Sequence, residues 1–106
     1  MRTLTSTIDD QLAANYADFE DTFGFGPCGA YAALRRKQGW GQIAVCTARA
    51  GQTEFPHYII IDDGIIDMAN PLDETLTYTD IDILDSDEMP ELIDESVIAW
   101  LEARIS

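Results

Sequence analysis

The sequence predicts an α+β protein in which helices pack against an antiparallel sheet of three or four strands. Apolar residues recur at helical spacing near both ends of the chain, and two β-rich runs flank an Asp-Gly turn in the middle. The predicted order is therefore helix, helix, strands, helix. A length of 106 residues and a hydrophobic fraction of 46% fit a single globular domain, residues 1–106, with a core of modest size.

Two helices are predicted in the first part of the chain. The first runs from about Thr7 to Phe19 with Thr7 as its cap, and its apolar face consists of Ile8, Leu12, Tyr16 and Phe19. Two glycines and a proline in the segment 22–27 (TFGFGP) break this pattern and predict a loop. The second helix covers 28–38, has cations in its last turn and ends at Gly39.

The middle of the chain predicts the sheet. Residues 42–48 read as a strand because their small and β-branched side chains suit a pleated surface. The segment 57–67 (HYIIIDDGIID) predicts a hairpin around its Asp-Gly turn, and the Asn-Pro pair at 70–71 ends it. Residues 76–84 (LTYTDIDIL) alternate and predict a further, more exposed strand.

The last segment, 86–105, predicts one amphipathic helix. Its first turn tolerates Pro90, since a proline near a helix start removes no intrahelical hydrogen bond. Its apolar stripe consists of Met89, Leu92, Ile93, Val97, Trp100, Leu101 and Ile105.

The chain is strongly acidic, with twenty acidic residues against six basic ones and a formal net charge of −14. A field of this sign repels nucleic-acid phosphates and anionic lipid, so we expect no nucleic-acid and no membrane partner. The charge is typical of a solvated, salt-adapted surface. Alternatively, it indicates an acidic inhibitor or DNA mimic that occupies a basic protein partner.

Other bulk features limit the class of protein further. The N-terminal residues lack the apolar run of a signal peptide, and the longest uncharged apolar stretch, 58–61, is too short to span a membrane, which predicts a cytoplasmic protein. Two cysteines and one histidine without metal-type spacing predict no metal site and no cofactor. The oligomeric state stays open.

Cys28 is the first residue with an indication of chemistry. It follows a Gly-Pro pair and opens the second predicted helix. A thiol at this point lies in the field of unsatisfied backbone N–H groups, which favour the nucleophilic thiolate and can bind an oxyanion. Gly29 leaves room for a substrate carbonyl to approach. A buried cysteine that merely begins a helix is the simpler interpretation.

His57 and Asp67 are linked by the geometry of the predicted hairpin. His57, the only histidine, begins a strand, and Asp67 interrupts an apolar run in which a buried acid needs a partner. A three-residue loop at 62–64 places Asp67 on the face of His57, whereas a two-residue turn shifts the register and makes His57 face Asn70. Asn70 is therefore the alternative third member, although it can simply start a turn before Pro71.

A cysteine that opens a helix, a histidine at a strand start and an acid or amide on the next strand resemble the papain-like superfamily, which includes transglutaminase-like proteins. The stretch 26–34 (GPCGAYAAL) is similar to the nucleophile helix of that superfamily, and 55–71 to its histidine hairpin. The resemblance covers less than half of the chain. It implies a minimal papain-like core with Cys28 as nucleophile, His57 as base and Asp67 as the residue that orients the base.

The resemblance also implies an oxyanion hole and a substrate cleft. Papain-type members carry a glutamine about six residues before the cysteine, where this chain has Thr22. The hole would then combine Cys28 and Gly29 with Thr22, with a backbone N–H of Gly24 or Gly26, or with no further donor. Three aromatic residues could line the cleft or instead anchor loops, namely Phe23, Phe25 and Trp40.

The function expected from these residues is thiol-dependent acyl transfer on a peptide, amide or thioester substrate, as in a cysteine peptidase, amidase or transglutaminase-like acyltransferase. Hydrolysis and transfer to an amine differ only in the acceptor, and the sequence does not distinguish them. The alternatives are a papain-like binding module without turnover and the acidic inhibitor or DNA mimic described above.

Overall fold

A computed structural model describes residues 3–5, 8–72 and 74–105 of the chain. Its elements in chain order are β1 (Thr3–Thr5), α1 (Asp10–Phe23), α2 (Cys28–Lys37), β2 (Gln42–Ala50), β3 (Thr53–Ile61), β4 (Ile65–Ile66), β5 (Thr77–Ile83) and α3 (Glu95–Glu102). This order confirms the predicted α+β class.

The strands form one sheet in the order β1-β4-β3-β2-β5. The pairs β2–β3, β2–β5 and β3–β4 are antiparallel, whereas the short β1 pairs in parallel with β4. The antiparallel hairpin of β3 and β4 was predicted, but the pairing of β5 with β2 was not. The sequence did not predict β1, because three residues are too few for a periodic pattern. β3 is the middle strand, and β1 and β5 lie at the two edges of the sheet.

Helix α1 begins later than the sequence predicts. The Oδ1 atom of Asp9 accepts hydrogen bonds from the N–H groups of Gln11 (2.8 Å) and Leu12 (3.3 Å), so Asp9 is the cap. The predicted cap, Thr7, lies outside the described residues.

The same helix also ends later than predicted and includes Thr22 and Phe23, which the sequence placed in a loop. Gly24 ends it with a left-handed φ of +82°, and the Gly24 N–H donates to the carbonyl of Glu20 at 2.8 Å. The first glycine, rather than the preceding threonine, is therefore the helix terminator.

The C-terminal helix prediction was wrong over its first half, since α3 covers only Glu95–Glu102. Leu92 has a left-handed φ of +69° and is 68% exposed, and Asp94 caps the helix by accepting from the N–H groups of Ser96 and Val97. Ile93 is nevertheless buried against the core from a non-helical segment. Because Ile93 is buried, the apolar residues of 86–94 have the spacing of a helix although the segment is not helical.

The main hydrophobic core lies between the helices and one face of the sheet. Its largest members are Leu12, Phe19, Leu34, Ile43, Ile60, Val97 and Leu101. Ile43 and Ile60 are directly paired across β2 and β3, as are their neighbours Ala44 and Ile59. Because side chains alternate along a strand, Ala44 and Ile59 point to the other face, where they pack with Cys46, Ile61 and Ile65.

Asp9 connects three parts of the fold. Its Oδ2 atom accepts from the hydroxyl of Tyr31 (3.0 Å) and from the guanidinium of Arg35 (3.1 Å), both on α2. Its backbone N–H donates to the carbonyl of Met68 at 2.7 Å, just beyond β4. The start of α1 is thereby held against α2 and against the chain that leaves the hairpin.

Candidate functional site

The β3–β4 hairpin has the three-residue loop, so of the two registers considered above the first one occurs. Ile61 pairs with Ile65 and Ile60 with Ile66, which leaves residues 62–64 as the loop. Gly64 has a φ of +150°, a conformation open mainly to glycine. Continued by one residue, this register places Asp67 opposite Ile59, on the same face as His57.

His57 and Asp67 are in direct contact. The His57 Nε2 atom lies 2.9 Å from both Oδ1 and Oδ2 of Asp67, and each residue is only 1% exposed. Asp67 also accepts a hydrogen bond from the Tyr78 hydroxyl at 2.6 Å and one from the Ala69 N–H at 3.2 Å. These donors explain how a carboxylate is accommodated inside an apolar run.

Asn70, the alternative partner of His57, holds the loop after the hairpin. Its side-chain oxygen accepts from the Leu72 N–H at 2.8 Å, and its Nδ2 donates to the Glu74 carbonyl at 2.8 Å. These bonds give Asn70 the turn-forming role that was its simpler interpretation.

Cys28 is the first residue of α2 and is half-buried. The first backbone bond of the helix runs from the Tyr31 N–H to the Pro27 carbonyl at 2.8 Å. The N–H groups of Cys28, Gly29 and Ala30 therefore have no acceptor in a preceding helical turn. The Cys28 side chain lines the same cleft as His57 and lies close enough to the His57 ring to raise its pKa. Cys28, His57 and Asp67 thus meet at the start of α2.

The protonation of His57 reflects this environment. Burial lowers the pKa of His57, but the hydrogen bonds with Asp67 and Cys28 and their negative charges outweigh burial and raise it from 6.5 to about 9. The ring is therefore an imidazolium at neutral pH. With Nε2 bonded to Asp67, the ring nitrogen left for the Cys28 thiol is Nδ1.

Cys28 and His57 line a surface cleft of about 520 Å³, although only 1% of His57 is exposed. Its walls are mostly apolar and include Tyr16, Phe25, Gly29, Val45, Phe55, Pro56, Tyr58, Pro71, Leu92 and Ile93, with Glu20 and Glu91 also lining it. The Phe55 ring lies edge-on to the His57 ring at a centroid distance of 5.5 Å. A carbonyl compound in this cleft would lie beside both the thiol and the imidazolium.

Of the three aromatic residues expected in the cleft, only Phe25 is among its lining residues. Phe23 packs instead against Phe19 (4.7 Å between ring centroids) and Trp100 (5.6 Å). Trp40 receives the Arg35 guanidinium over its ring at 4.4 Å. Phe23 and Trp40 are not among the lining residues of this cleft, and both rings take the alternative, packing role.

The expected oxyanion-hole residues differ in their placement. Gly29 lines the cleft, and a Cβ atom there would come within 3.3 Å of Pro90, Ile93 and Tyr58, so the position is closely packed as well as open to the cleft. Thr22 is exposed in the last turn of α1, where its hydroxyl donates to the Asp18 carbonyl at 2.7 Å. The structure therefore gives Thr22 a helix-internal hydrogen bond instead of a place in the cleft.

Sequence reasoning missed two tyrosines at the site. Tyr78, on the edge strand β5, donates to Asp67, and Tyr16, on α1, lines the cleft beside Cys28. Tyr16 was predicted as part of an apolar helix face, and Tyr78 as part of an exposed strand. The available signal was the amphipathic nature of tyrosine, whose hydroxyl often reaches a polar partner at the border of a core.

Comparisons of the chain with models of protein families, with curated proteins and with solved structures found no match. Within the described ranges, no group of three or more histidine, cysteine, aspartate or glutamate side chains is arranged to hold a metal ion. No helix in those ranges is long and apolar enough to cross a lipid bilayer. The chemistry of the site therefore has to be inferred from its own side chains.

Proposed function

We propose that the protein is a thiol-dependent acyl-transfer enzyme with a papain-like core that acts on a peptide, amide or thioester bond. The observation that carries the proposal is the place of Cys28 beside His57 in an open cleft, with the buried Asp67 bonded to the far side of the His57 ring. The order of these residues along the chain also supports the papain-like assignment, although His57 lies in the middle of β3 and not at its start as predicted.

In the first step the Cys28 thiolate attacks the substrate carbonyl carbon and forms an S–C bond, and the carbonyl oxygen takes up the electron pair as an oxyanion. The backbone N–H groups of Cys28 and Gly29 are the donors at the start of α2 that can stabilise this charge. When the intermediate collapses, the bond to the leaving amine or thiol breaks and His57 donates its Nδ1 proton to that group. The product is an S-acyl Cys28.

In the second step a water or an amine attacks the acyl carbon, and the now neutral His57 accepts its proton. Collapse of this intermediate breaks the S–C bond and returns Cys28 as a thiolate beside an imidazolium. Asp67 accepts the Nε2 hydrogen bond throughout, which fixes the ring orientation and stabilises the imidazolium. Tyr78 and the Ala69 N–H keep the Asp67 carboxylate in place.

Alkylation with iodoacetamide tests the proposal, because Cys46 provides an internal control. Cys46 is buried, its thiol donates to the His57 carbonyl at 3.6 Å, and burial, Asp67 and Cys28 raise its pKa to about 12. We expect Cys28 to be alkylated at about pH 6 at least about 100-fold faster than Cys46, and His57→Ala to slow Cys28 markedly.

The labelled residue is identified by peptide mass spectrometry, with Cys28→Ala as the matched variant. Equal labelling of both cysteines in the folded protein, or a Cys28 rate that does not respond to His57→Ala, would rule out the activated thiol. A basic protein that binds the chain with strong salt dependence, equally well with Cys28→Ala, would instead favour the acidic inhibitor.

A further inference from the structure

Tyr16 lies against the loop that leads into Cys28. Its ring is half-buried and lines the same cleft as Cys28 and His57. A Cβ atom built on Gly26 would come within 3.3 Å of the Tyr16 hydroxyl oxygen. The hydroxyl of Tyr16 therefore lies beside the backbone of the residue two positions before the nucleophile, on the α1 wall of the cleft.

The hydroxyl of Tyr16 differs from those of the other tyrosines in its hydrogen bonding. The Tyr31 hydroxyl donates to Asp9, that of Tyr78 donates to Asp67, and that of Tyr58 accepts from the Glu91 N–H. Among the described residues, the Tyr16 hydroxyl has no hydrogen-bond partner. It is thus a donor in the cleft without an acceptor in the protein.

The Tyr16 hydroxyl keeps the proton that a hydrogen-bond donor needs. Burial, followed by the charges of Glu20 and Cys28, raises its pKa above the usual value of 10.0. The phenol therefore keeps its proton over the pH range in which a thiol enzyme works. The influence of Cys28 on Tyr16 also places the hydroxyl within electrostatic range of the nucleophile.

A donor on this side of the cleft would supplement the backbone N–H groups in the proposed chemistry. The helix start supplies backbone N–H groups from one direction, and the Thr22 hydroxyl is already bonded to Asp18 inside α1. We propose that the Tyr16 hydroxyl completes the oxyanion hole, so that it donates to the carbonyl oxygen of the substrate as that oxygen becomes negative. This inference rests on the proposed acyl transfer and adds a catalytic residue to it.

Two reagents separate the role of Tyr16 from the activation of Cys28. Iodoacetamide alkylates sulfur by displacement of iodide and forms no oxyanion. p-Nitrophenyl acetate is attacked at its carbonyl carbon, forms an oxyanion and expels p-nitrophenolate to leave S-acetyl Cys28. We expect Tyr16→Phe to lower the acetylation rate at least about tenfold while the alkylation rate stays the same.

Thr22→Val is the matched control, since it removes a hydroxyl from the position that the sequence suggested as donor and should leave both rates unchanged. If Tyr16→Phe acetylates like the unmodified protein, or loses both rates equally, the assignment of Tyr16 is wrong while acyl transfer stands. If the unmodified protein releases no p-nitrophenolate at Cys28, acyl transfer itself is wrong. Circular dichroism of each variant verifies that the fold is intact.

Discussion

His57 determines the charge state of the site, because it joins the thiol to the carboxylate. Its ring is almost fully buried, yet its two partners keep it protonated to an unusually high pH. Protonation at Nδ1 and Nε2 together lets the ring donate to both neighbours. A neutral ring would satisfy only one of them, which is why the pKa of His57 is the most informative single quantity of the site.

The pKa of His57 can be measured directly, since the chain contains one histidine. We expect its ring protons to titrate by NMR with a pKa of about 9, and Asp67→Asn to lower that pKa because the negative charge at Nε2 is lost. Cys28→Ala should lower it as well. A midpoint at the ordinary value of 6.5 in the unmodified protein would show that the contact among the three residues does not form in solution.

Tyr78 supports the carboxylate from the edge of the sheet. Tyr78→Phe removes the donor that lies 2.6 Å from Asp67 Oδ2 and leaves the ring in place. We expect the free energy of unfolding to fall by about 1.5–3 kcal/mol, the range for hydrogen bonds to a charged group. Urea denaturation measures this loss. A change within experimental error would mean that Asp67 does not depend on β5.

Some residues of the site could be predicted from the sequence because turn residues mark the elements that carry them. Cys28, His57 and Asp67 lie at a helix start, in a strand and beyond a hairpin strand, where turn residues mark the boundaries in the sequence. The approach of His57 and Asp67 could be predicted from a register and that of Cys28 from the resemblance, whereas their catalytic role stays a prediction. Tyr16 and Tyr78 could not be assigned, because only tertiary packing brings their elements to the cleft.

At the scale of elements, the β3–β4 hairpin is the part of the fold on which the site depends most. Its three-residue loop sets the register that brings Asp67 to the face of His57. A loop shorter by one residue would turn Asp67 to the opposite face. The conformation of Gly64, with a φ of +150°, is what allows the longer loop to close.

Gly64→Ala tests this dependence, with Gly51→Ala as the matched control in the β2–β3 turn. Gly51 has a φ of +60° and open space where a Cβ would be, so both variants strain a turn but only Gly64 belongs to the site hairpin. We expect each to cost about 1–3 kcal/mol of stability. Only Gly64→Ala should also lower the pKa of His57 in the NMR titration, and an equal response of both variants would contradict the role of the loop.

The elements themselves were predictable where one signal dominated. The hairpin, α2 and β5 are marked by an Asp-Gly turn, a Gly-Pro entry and strict alternation, respectively. The start of α3 could not be predicted, because Ile93 packs on the core from a non-helical segment and mimics helical spacing. The caps Asp9 and Asp94 were also missed, because local side-chain bonds decide between neighbouring start positions.

At the scale of the whole molecule, the charge of His57 links the site to global stability. A pKa raised from 6.5 to about 9 on folding means that the folded state binds the proton more tightly than the unfolded state. The resulting stabilisation is complete below pH 6.5 and is lost as the pH rises through about 9. Its upper size is about 3 kcal/mol, since one pKa unit corresponds to about 1.4 kcal/mol.

Unfolding in urea at about pH 6 and about pH 10 measures the stabilisation that protonated His57 contributes. The twenty acidic residues and other groups also titrate or repel, so the informative quantity is the difference between the unmodified protein and His57→Gln. We expect this difference to shrink at the higher pH. A difference that is the same at both pH values would mean that the folded and unfolded proteins hold the histidine proton equally.

Asp9 links the elements that form the cleft from a position outside it. The Asp9 carboxylate ties the start of α1 to α2, and the Asp9 backbone N–H ties it to the chain after β4. These three pieces carry Tyr16, Cys28 and Asp67. A loosened contact at Asp9 would therefore let the α1 wall swing away from the nucleophile while every reactive group stayed intact. The spacing on which acyl transfer would depend is in this sense maintained by a residue that no substrate has to touch.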